Sequence, residues 1–411
     1  MTSTIPSDWR VEPLAAVSER IMVGIASAAT HAYRSTGVPM LRNQNIKSGR
    51  LDDSDVLFID PGYEKGFRSK RLQPGDLITA RTGYPGATCV VPKHYEAAQS
   101  FTTLITRPNS KLVDSDYLCY YINSEQGQSF VTQSQIGGAQ QNINAGAFRL
   151  MPIWLPPLDE QRAIADALID VDSLITTLER RIVKMEDIKQ GVVQQLLTGR
   201  TRLPGFTQPW IQASLGSLGS FLKGRGVKRE DVRDSGIPCI RYGELYTEFD
   251  DYTSAAKSFV EPGVAAAAVP LRCGDLLFAG SGETRDEIGK CVAYIGPIPA
   301  VAGGDIVILR GSEFNPTYLA LLANTPEVAN QKSRAGQGDA VVHISSRALA
   351  AIQVALPPRP EQDAIARVIV DTDHDIRSLG SRVHKARAVK DGMMQQLLSG
   401  RTRLPVNEAA S

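Results

Sequence analysis

The residues best suited to chemistry in this chain are arginines and lysines gathered in polar segments that also contain glycine. Residues 223–241 hold six basic and three acidic side chains, and Gly224 and Gly226 would let this segment approach another backbone closely. A second cluster interleaves basic and aromatic residues, namely Lys65, Arg68, Lys70, Arg71 and Arg81 with Tyr63, Phe67 and Tyr84. Arginine fits the paired acceptors of guanine in the major groove, and lysine fits phosphate. The clusters indicate nucleic-acid contact, although each alone is also typical of ordinary solvated surface.

Motifs for catalysis are missing. An adenine-type amino methyltransferase needs a glycine-rich AdoMet loop and an Asn/Asp-Pro-Pro-aromatic motif, and the nearest string, Asn315-Pro316-Thr317-Tyr318, is better interpreted as a helix N-terminus. The chain has no G-x-x-x-x-G-K-[ST] motif for nucleotide phosphates. Asp187-Ile188-Lys189 imitates part of a nuclease triplet but falls within a predicted helix, and the five histidines lack metal-ligand spacing. The sequence therefore predicts a non-enzymatic chain with no catalytic residue, metal or cofactor of its own.

Composition places the chain among ordinary globular proteins. Its 411 residues carry 45 basic and 44 acidic side chains and are 42% hydrophobic, which predicts two or three domains with real cores. The five cysteines form no C-x-x-C pair, as expected of a reducing compartment. The longest apolar run, 264–269, is far too short to span a membrane, and the N-terminus does not resemble a signal peptide. We expect a soluble cytoplasmic protein that does not bind membranes.

An internal repeat organises the chain. Residues 155–204 and 356–405 align without a gap at an offset of 201, with 26 identities in 50 positions. Weaker correspondences precede each copy, such as Trp9 with Trp210. The chain is thus interpreted as two halves, each a divergent domain followed by a repeated segment. The repeated segments should perform the same task twice, and the divergent domains should perform related but different tasks.

The repeated segment is predicted to be a helix over about 158–198. Its apolar residues recur alternately four and three apart, which is a coiled-coil seam. The seam of the first copy contains Ile164, Leu168, Val171, Ile175, Leu178, Ile182 and Met185. The second copy keeps Ile365, Ile369, Ile376, Leu379 and Val383, with Thr372 and Ala386 as weaker members. Asp159 is a candidate N-cap, and Gly199 and Gly400 are candidate C-terminal glycines. Since one such helix is unstable alone in water, we expect the copies to pair antiparallel and separate the two domains.

Identity between the two copies extends beyond the seam. Packing between two helices does not require identical outward residues, whereas a partner that recognises both copies would require them. The residues predicted on this ground to bind a partner are Gln161, Lys184, Lys189, Gln194, Gln195, Gln362, Lys385, Lys390, Gln395 and Gln396. The alternative is a structural coiled coil with no specific partner.

The divergent domains combine strand and helix patterns. Short strands are predicted at 38–42 and 237–241, each ending on an arginine, and after the Gly-Asp turns at 75–81 and 274–279. Residues 116–122 and 316–322 have helical patterns. The predicted fold class is α+β, with two globular α/β domains joined by two long antiparallel coiled-coil helices in a pseudo-two-fold internal repeat.

This layout resembles the specificity (S) subunit of type I restriction-modification systems over essentially the whole chain. The motifs that carry the resemblance are L-P-P-x-x-E-Q-x-x-I at Leu155 and Leu356 and Q-Q-L-L-[TS]-G-R-T-R-L-P at Gln194 and Gln395. The strings G-I-P-C-I-R and G-D-L-L-F-A-G-S-G-E of the second domain are also similar to the family's target-recognition domains. Gly83-Tyr84-Pro85-Gly86 departs from the family's more usual Ser-Gly-x turn.

The resemblance implies both architecture and partners. The expected domains are a target-recognition domain at 1–156, a spacer helix at 157–199, a second recognition domain at 200–357, a second helix at 358–405 and a tail at 406–411. The expected partners are double-stranded DNA, two methylation (M) subunits that carry AdoMet, and restriction (R) subunits that use ATP and Mg²⁺. Each recognition domain would read one half of a bipartite, asymmetric site.

Loop position and chemistry nominate the residues that would touch DNA. They are Arg42, Arg81, Tyr84, Gln140, Gln141, Lys223, Arg225, Lys228, Arg241, Thr284 and Arg285. Other interpretations stay open: a scaffold whose two heads bind proteins rather than DNA, a specificity subunit that serves methylation without restriction, and, least supported, a stand-alone enzyme.

Overall fold

The structure, a computed structural model, describes residues 5–27, 29–135, 142–338 and 341–405. Contacts within the chain divide it into two units. Unit 1 contains Met1–Arg180 and Gly380–Ser411, and unit 2 contains Arg181–Leu379. Each unit thus combines one divergent domain with the beginning of one long helix and the end of the other. Both units mix helices with small sheets, which confirms the predicted α+β content.

Unit 1 is built on two four-stranded sheets and two two-stranded sheets. The strands are β1 Arg10–Pro13, β2 Ser18–Val23, β3 Tyr33–Arg34, β4 Val38–Arg42, β5 Ile46–Lys47, β6 Arg50–Leu51, β7 Leu57–Ile59, β8 Leu77–Thr79, β9 Thr88–Val90, β10 Gln99–Phe101, β11 Leu104–Pro108 and β12 Pro152–Leu155. The helices are α1 Pro61–Glu64, α2 Ser115–Asn123, α3 Glu125–Gln133, α4 Ala145–Phe148 and the start of α5 Leu158–Leu197. The sheet orders are β2-β11-β8-β9, β10-β4-β7-β3 and β1-β12, and β5 pairs with β6.

Unit 2 has a similar set of elements. The strands are β13 Ile211–Ser214, β14 Ser220–Lys223, β15 Ile237–Ile240, β16 Tyr252–Thr253, β17 Ser258–Val260, β18 Val269–Pro270, β19 Asp275–Ala279, β20 Ser281–Gly282, β21 Cys291–Tyr294, β22 Val301–Ala302, β23 Ile306–Arg310, β24 Val342–His343 and β25 Gln353–Leu356. The helices are α6 Glu244–Thr247, α7 Pro262–Ala267, α8 Pro316–Ala323, α9 Pro326–Ala335, α10 Ser346–Ala350 and the start of α11 Arg359–Leu397. The sheet orders are β14-β23-β19-β21-β16, β17-β15-β22-β18 and β13-β25, and β20 pairs with β24.

The main sheets of the two units share a strand order. The order β2-β11-β8-β9 in unit 1 corresponds to β14-β23-β19-β21 in unit 2, and all these pairs are antiparallel. In both units an arginine of the second strand forms a bidentate pair with a buried aspartate at the start of the third. Arg107 lies 2.8 Å from both oxygens of Asp76, and Arg310 lies 2.8 and 2.6 Å from those of Asp275. The aspartate of each Gly-Asp turn noted in the sequence therefore joins two neighbouring strands of the main sheet through this ion pair.

The ends of the long helices belong to the cores. In unit 1, Ile164 and Leu168 of α5 are buried with Leu397 and Leu398 and with residues of α2. In unit 2, Ile365 and Ile369 of α11 are buried with Leu196 and Leu197 and with residues of α8. Burying large aliphatic side chains is worth about 1.5–3 kcal/mol each, so these contacts fix the helix ends to the globular parts.

Within each unit the two helix segments run antiparallel. In unit 1, Lys390 lies 2.7 Å from Asp172, and Arg387 lies 2.5 Å from Glu179. In unit 2, Lys189 lies 2.5 Å from Asp373. The helix α5 spans Leu158–Leu197 and α11 spans Arg359–Leu397, so α11 ends before residue 405. The predicted cap is wrong, because α5 begins at Leu158 and Asp159 lies inside its first turn.

Within the described residues, no helix is both long and apolar enough to cross a membrane.

Candidate nucleic-acid interface

Each unit presents a loop at the same place, between the third and fourth strands of its main sheet. Two backbone hydrogen bonds close the loop of unit 1, from Ala80 to Ala87 at 2.8 Å and from Gly86 to Ala80 at 2.9 Å. The same two bonds close the loop of unit 2, from Ala279 to Lys290 at 2.9 Å and from Gly289 to Ala279 at 3.1 Å. The closures enclose residues 81–85 in unit 1 and 280–288 in unit 2. We call these segments loop A and loop B; loop B is four residues longer (nine against five).

A second segment of chain lies against each loop. In unit 1, Ile143 donates its backbone N–H to the carbonyl of Arg81 at 3.3 Å, and the Arg81 Nε donates back to the Ile143 carbonyl at 3.2 Å. In unit 2, Ile344 donates to the carbonyl of Gly280 at 3.0 Å, and β20 pairs with β24. Each loop therefore forms a surface together with the segment that precedes α4 or α10. The predicted contacts Gln140 and Gln141 precede Ile143 and lie outside the described residues.

Loop A carries one side chain clearly placed to reach a partner. Tyr84 is 79% exposed at the tip of the loop. Asn43 fixes the neighbouring backbone, because its Oδ1 accepts from the Arg81 N–H at 2.9 Å and its Nδ2 donates to Thr82 and Thr102 at 3.2 Å each. Arg81 is thus half-buried and hydrogen-bonded. Tyr84 is exposed on a loop whose backbone is anchored beside it.

In loop B, Thr284 and Arg285 are both exposed. Thr284 donates to Glu287 at 3.1 Å. Arg285 donates to the carbonyls of Gly336 and Gly338 at 3.0 and 3.2 Å, so it ties loop B to the segment before β24. Its predicted role in DNA contact remains a prediction, and the structure adds this bracing role.

Two arginines nominated from the ends of strands have carboxylate partners that the sequence did not reveal. Arg42 lies 2.8 Å from Asp55, and Arg241 donates from Nε and Nη2 to the same oxygen, Oε1 of Glu244, at 3.2 and 2.9 Å. Only 22% of the Arg42 side chain and 32% of the Arg241 side chain are exposed. Their predicted contact with DNA bases stays a prediction, and in the structure each guanidinium is engaged by a carboxylate within its own unit.

The glycine-rich basic segment of unit 2 keeps its predicted exposure. Lys223, Arg225 and Lys228 are all exposed, and the 3.8 Å pair of Lys228 with Glu230 lies in solvent, where such pairs contribute little. Gly224 donates to the carbonyl of Ile306 at 2.8 Å, and a Cβ at Gly224 would lie 2.0 Å from the Gly303 carbonyl oxygen. Since Gly280 of loop B donates to the carbonyl of Asp305 at 2.7 Å, residues 303–306 hold this basic segment near loop B.

A cleft of about 750 Å³ continues the basic surface of unit 2. Lys228, Arg229, Arg241 and Lys257 line it, opposed by Glu244, Glu248 and Asp305. Mixed charges of this kind suit specific polar contacts better than a uniform attraction to phosphate. Within the described residues, no group of three or more His, Cys, Asp or Glu side chains is arranged to hold a metal ion.

The motifs that open and close the two repeated helices bind each other. In unit 1, the Arg403 guanidinium of the closing motif lies 2.5 and 2.7 Å from the two oxygens of Glu160 in the opening motif. In unit 2, Arg202 lies 2.9 and 2.6 Å from those of Glu361. Both glutamates are fully buried. The hydrogen bonds that Arg403 donates to Asp8 and Glu160 raise the pKa of Arg403 above its ordinary value.

Two of the predicted partner-binding residues are interior. Gln161 and Gln362 are 1% and 3% exposed. Their Oε1 atoms accept the backbone N–H groups of Asp114 and Asn315 at 2.9 Å each, and their amide nitrogens donate to the carbonyls of Pro156 and Pro357, also at 2.9 Å. The expectation that they face outward is wrong. They are identical because both units need the same buried amide.

Lys189 and Lys390 also have an internal function. Each is half-buried and pairs with the equivalent aspartate of the other helix within its own unit, Asp373 or Asp172. Each aspartate also accepts a tyrosine hydroxyl at 2.8 Å, from Tyr252 and Tyr120 respectively. Burial and this hydrogen bond raise the pKa of Tyr252 to about 12. The remaining predicted residues are exposed on the helices: Lys184, Gln194, Gln195, Lys385, Gln395 and Gln396.

Sequence reasoning missed the side chains that support the loops. Asn123 and Asn324, at the repeat offset of 201, each bind both the N–H and the carbonyl of one strand residue, Thr88 or Cys291, at 2.7–3.1 Å. The recurring pattern Y-L-x-x-x-x-N-[ST] at Tyr117 and Tyr318 was the available signal.

Comparison with known proteins agrees with this arrangement. Residues 6–186 match the family model described as type I restriction modification DNA specificity domain. The chain is 24% identical to the putative type I restriction enzyme MjaX specificity subunit of Methanocaldococcus jannaschii, over 97% of this chain and 95% of that protein. It is 22% identical to the type I restriction enzyme EcoKI specificity subunit of Escherichia coli, over 96% of this chain and 88% of that one.

Solved structures share the fold. The HsdS subunit of Thermoanaerobacter tengcongensis aligns with a TM-score of 0.53 at 16% identity, over 98% of this chain and 99% of that one. The type I restriction-modification S subunit of M. genitalium aligns with a TM-score of 0.59 at 14% identity, over 97% of each chain. These alignments show that the chain shares its two-unit fold with S subunits of solved structure. Over nearly its whole length the chain is thus similar to type I restriction enzyme specificity subunits, the family that its motifs resemble.

Proposed function

We propose that this chain gives a type I restriction-modification complex its DNA sequence specificity and catalyses no reaction itself. The observation that carries the proposal is the pair of loops on equivalent strands. A shared sheet order supports a shared task, and loops of five and nine residues with different side chains support different targets. The two units would therefore read the two unlike halves of a bipartite, asymmetric DNA site.

The long helices would set the spacing between these half-sites. α5 and α11 contain 40 and 39 residues, which corresponds to about 60 Å at 1.5 Å per residue. We propose that they form an antiparallel coiled coil in a pseudo-two-fold repeat and act as the spacer. Half-sites read from one face of the duplex would then lie about one helical turn, or roughly 34 Å, apart.

The exposed repeated residues of the helices are proposed to bind two methylation subunits. Lys184 and Lys385, and the paired glutamines at 194–195 and 395–396, lie on the surface at equivalent positions. The methylation subunits would supply AdoMet and the adenine-N6 chemistry, and restriction subunits would supply the ATP- and Mg²⁺-dependent steps. This chain would work with them in the cytoplasm.

The test is a genome-wide map of N6-methyladenine in the host with and without this gene. We expect deletion to remove one split, asymmetric motif and the gene on a plasmid to restore it. An unchanged map, together with no salt-sensitive DNA affinity of the assembled complex, would favour the protein-binding scaffold.

A further inference from the structure

The carbonyl of the glycine that ends each loop accepts a hydrogen bond from a side chain of the equivalent helix, α3 in unit 1 and α9 in unit 2. In unit 1, Gln128 of α3 donates its Nε2 to the carbonyl of Gly86 at 3.1 Å. In unit 2, Lys332 of α9 donates its Nζ to the carbonyl of Gly289 at 2.6 Å. Two different residue types thus make the same contact to the returning end of loops A and B.

The fit around these glycines is tight. Gly86 and Gly289 have φ angles of 93° and 73°, in the left-handed region that favours glycine. A Cβ at Gly86 would lie 2.8 Å from the Val131 side chain, and one at Gly289 would lie 3.0 Å from Cδ of Lys332. The glycine, the helix and the side chain therefore form one packed unit.

Each loop re-enters its sheet directly after this contact. Two residues beyond the glycine, Thr88 and Cys291 are held on both backbone groups by Asn123 and Asn324. The C-terminal end of each loop is thus fixed at two successive points. The backbone at the loop tip, which carries Tyr84 or Thr284, takes its position from these anchors.

We propose that Gln128 and Lys332 are positioning residues that determine how sharply loops A and B discriminate their half-sites. This inference rests on the proposed function and names residues that do not themselves touch DNA. Base readout requires side chains held within about 0.5 Å of the productive geometry, so a loop with one released anchor would accept more sequences. Lys332 is suited to this positioning role because its side chain is only 2% exposed and donates to the Gly289 carbonyl from inside the unit. The same burial lowers the pKa of Lys332 to about 8.

The experiment uses full-length variants in the host that lacks its own copy of the gene. Lys332→Met removes the donor and keeps the length of the side chain, and Lys332→Arg keeps a donor. Gln128→Met is the equivalent change in unit 1, where the half-buried site tolerates substitution more readily. Arg334→Met on α9 and Gln133→Met on α3 are matched controls, since both wild-type residues are exposed on the same helices.

The readout is the methylated fraction at cognate sites and at sites with one base changed in either half. One mismatched base pair ordinarily costs about 1–3 kcal/mol of specific binding, so a relaxed loop should raise the ratio of near-cognate to cognate methylation about tenfold. We expect Lys332→Met to raise it for one half-site only, Gln128→Met for the other half only, and Lys332→Arg and the two controls to keep the wild-type ratio.

Other results would overturn the inference. An unchanged ratio in both donor-free variants, or equal losses of methylation at cognate and near-cognate sites of both halves, would reduce these residues to a structural role. If Lys332→Met does not accumulate as a folded protein, Gln128→Met decides the question. Failure of the wild-type gene to restore any motif would instead refute the proposed function.

Discussion

At the scale of single residues, the near-identity of the repeated segments has an internal cause. Glu160 and Glu361 are buried carboxylates that would be costly without a partner, and the arginine of the opposite closing motif supplies two hydrogen bonds to each. The opening and closing motifs must therefore persist together. Since the two motifs of a pair come from different copies, both copies are constrained to the same residues.

Substituting Arg403 by methionine tests this interpretation. The change leaves Glu160 buried without its cation, and we expect a loss of about 2 kcal/mol in the free energy of unfolding. The value lies below the usual 3–5 kcal/mol for a broken buried pair because 40% of the arginine side chain is exposed. Urea unfolding of the full-length chain measures it, with the exposed Arg401→Met as the matched control. Equal stability of the two variants would contradict the assigned role.

Individual residues also show which parts of the candidate nucleic-acid interface could be predicted from the sequence. Lys223, Arg225 and Tyr84 were predicted from loop chemistry and are exposed. Arg42 was nominated on the same grounds, but its partner Asp55 is thirteen positions away and could not be inferred from spacing. Lys332 escaped notice because a buried lysine on an amphipathic helix has the same local pattern as a solvated one.

At the scale of elements, the helices were the most predictable part of the fold. A seam repeated every seven residues gave α5 to within one residue of its bounds, and the glycines at its end and at the end of α11 have the expected left-handed conformation, with φ of 68° at Gly199 and 71° at Gly400. Strands of two residues, such as β3 and β20, carry no periodicity and could not be predicted. They form only because neighbouring strands supply the register.

The glycines within and just after the long helices allow one substitution, glycine to alanine, to be compared at positions where opposite effects on stability are expected. Gly400→Ala should destabilise the protein by at least about 1 kcal/mol, since alanine disfavours the positive φ and its Cβ would lie 2.5 Å from Pro6. Gly191→Ala and Gly392→Ala should stabilise it by about 0.5–1 kcal/mol, because both positions are inside helices with open space around the added methyl. Melting temperatures of the three variants distinguish these cases. A stabilised Gly400→Ala would refute the end-cap assignment.

At the scale of the whole molecule, the repeat predicted two related halves, and the structure contains two units with the same main-sheet order. What the repeat could not predict is how the units are composed. Each takes the start of one helix and the end of the other, because the pairs Glu160–Arg403 and Glu361–Arg202 join residues 243 and 159 positions apart. Only the folded chain brings such distant positions into one core.

The central claim is that each unit reads its own half of a split DNA site. The most direct measurement replaces residues 1–156 with the recognition domain of a known type I specificity subunit and maps N6-methyladenine in the host. We predict a new motif in which one half is exchanged while the other half is unchanged. A motif altered in both halves, or left intact in both, would contradict the assignment of one half-site to each unit.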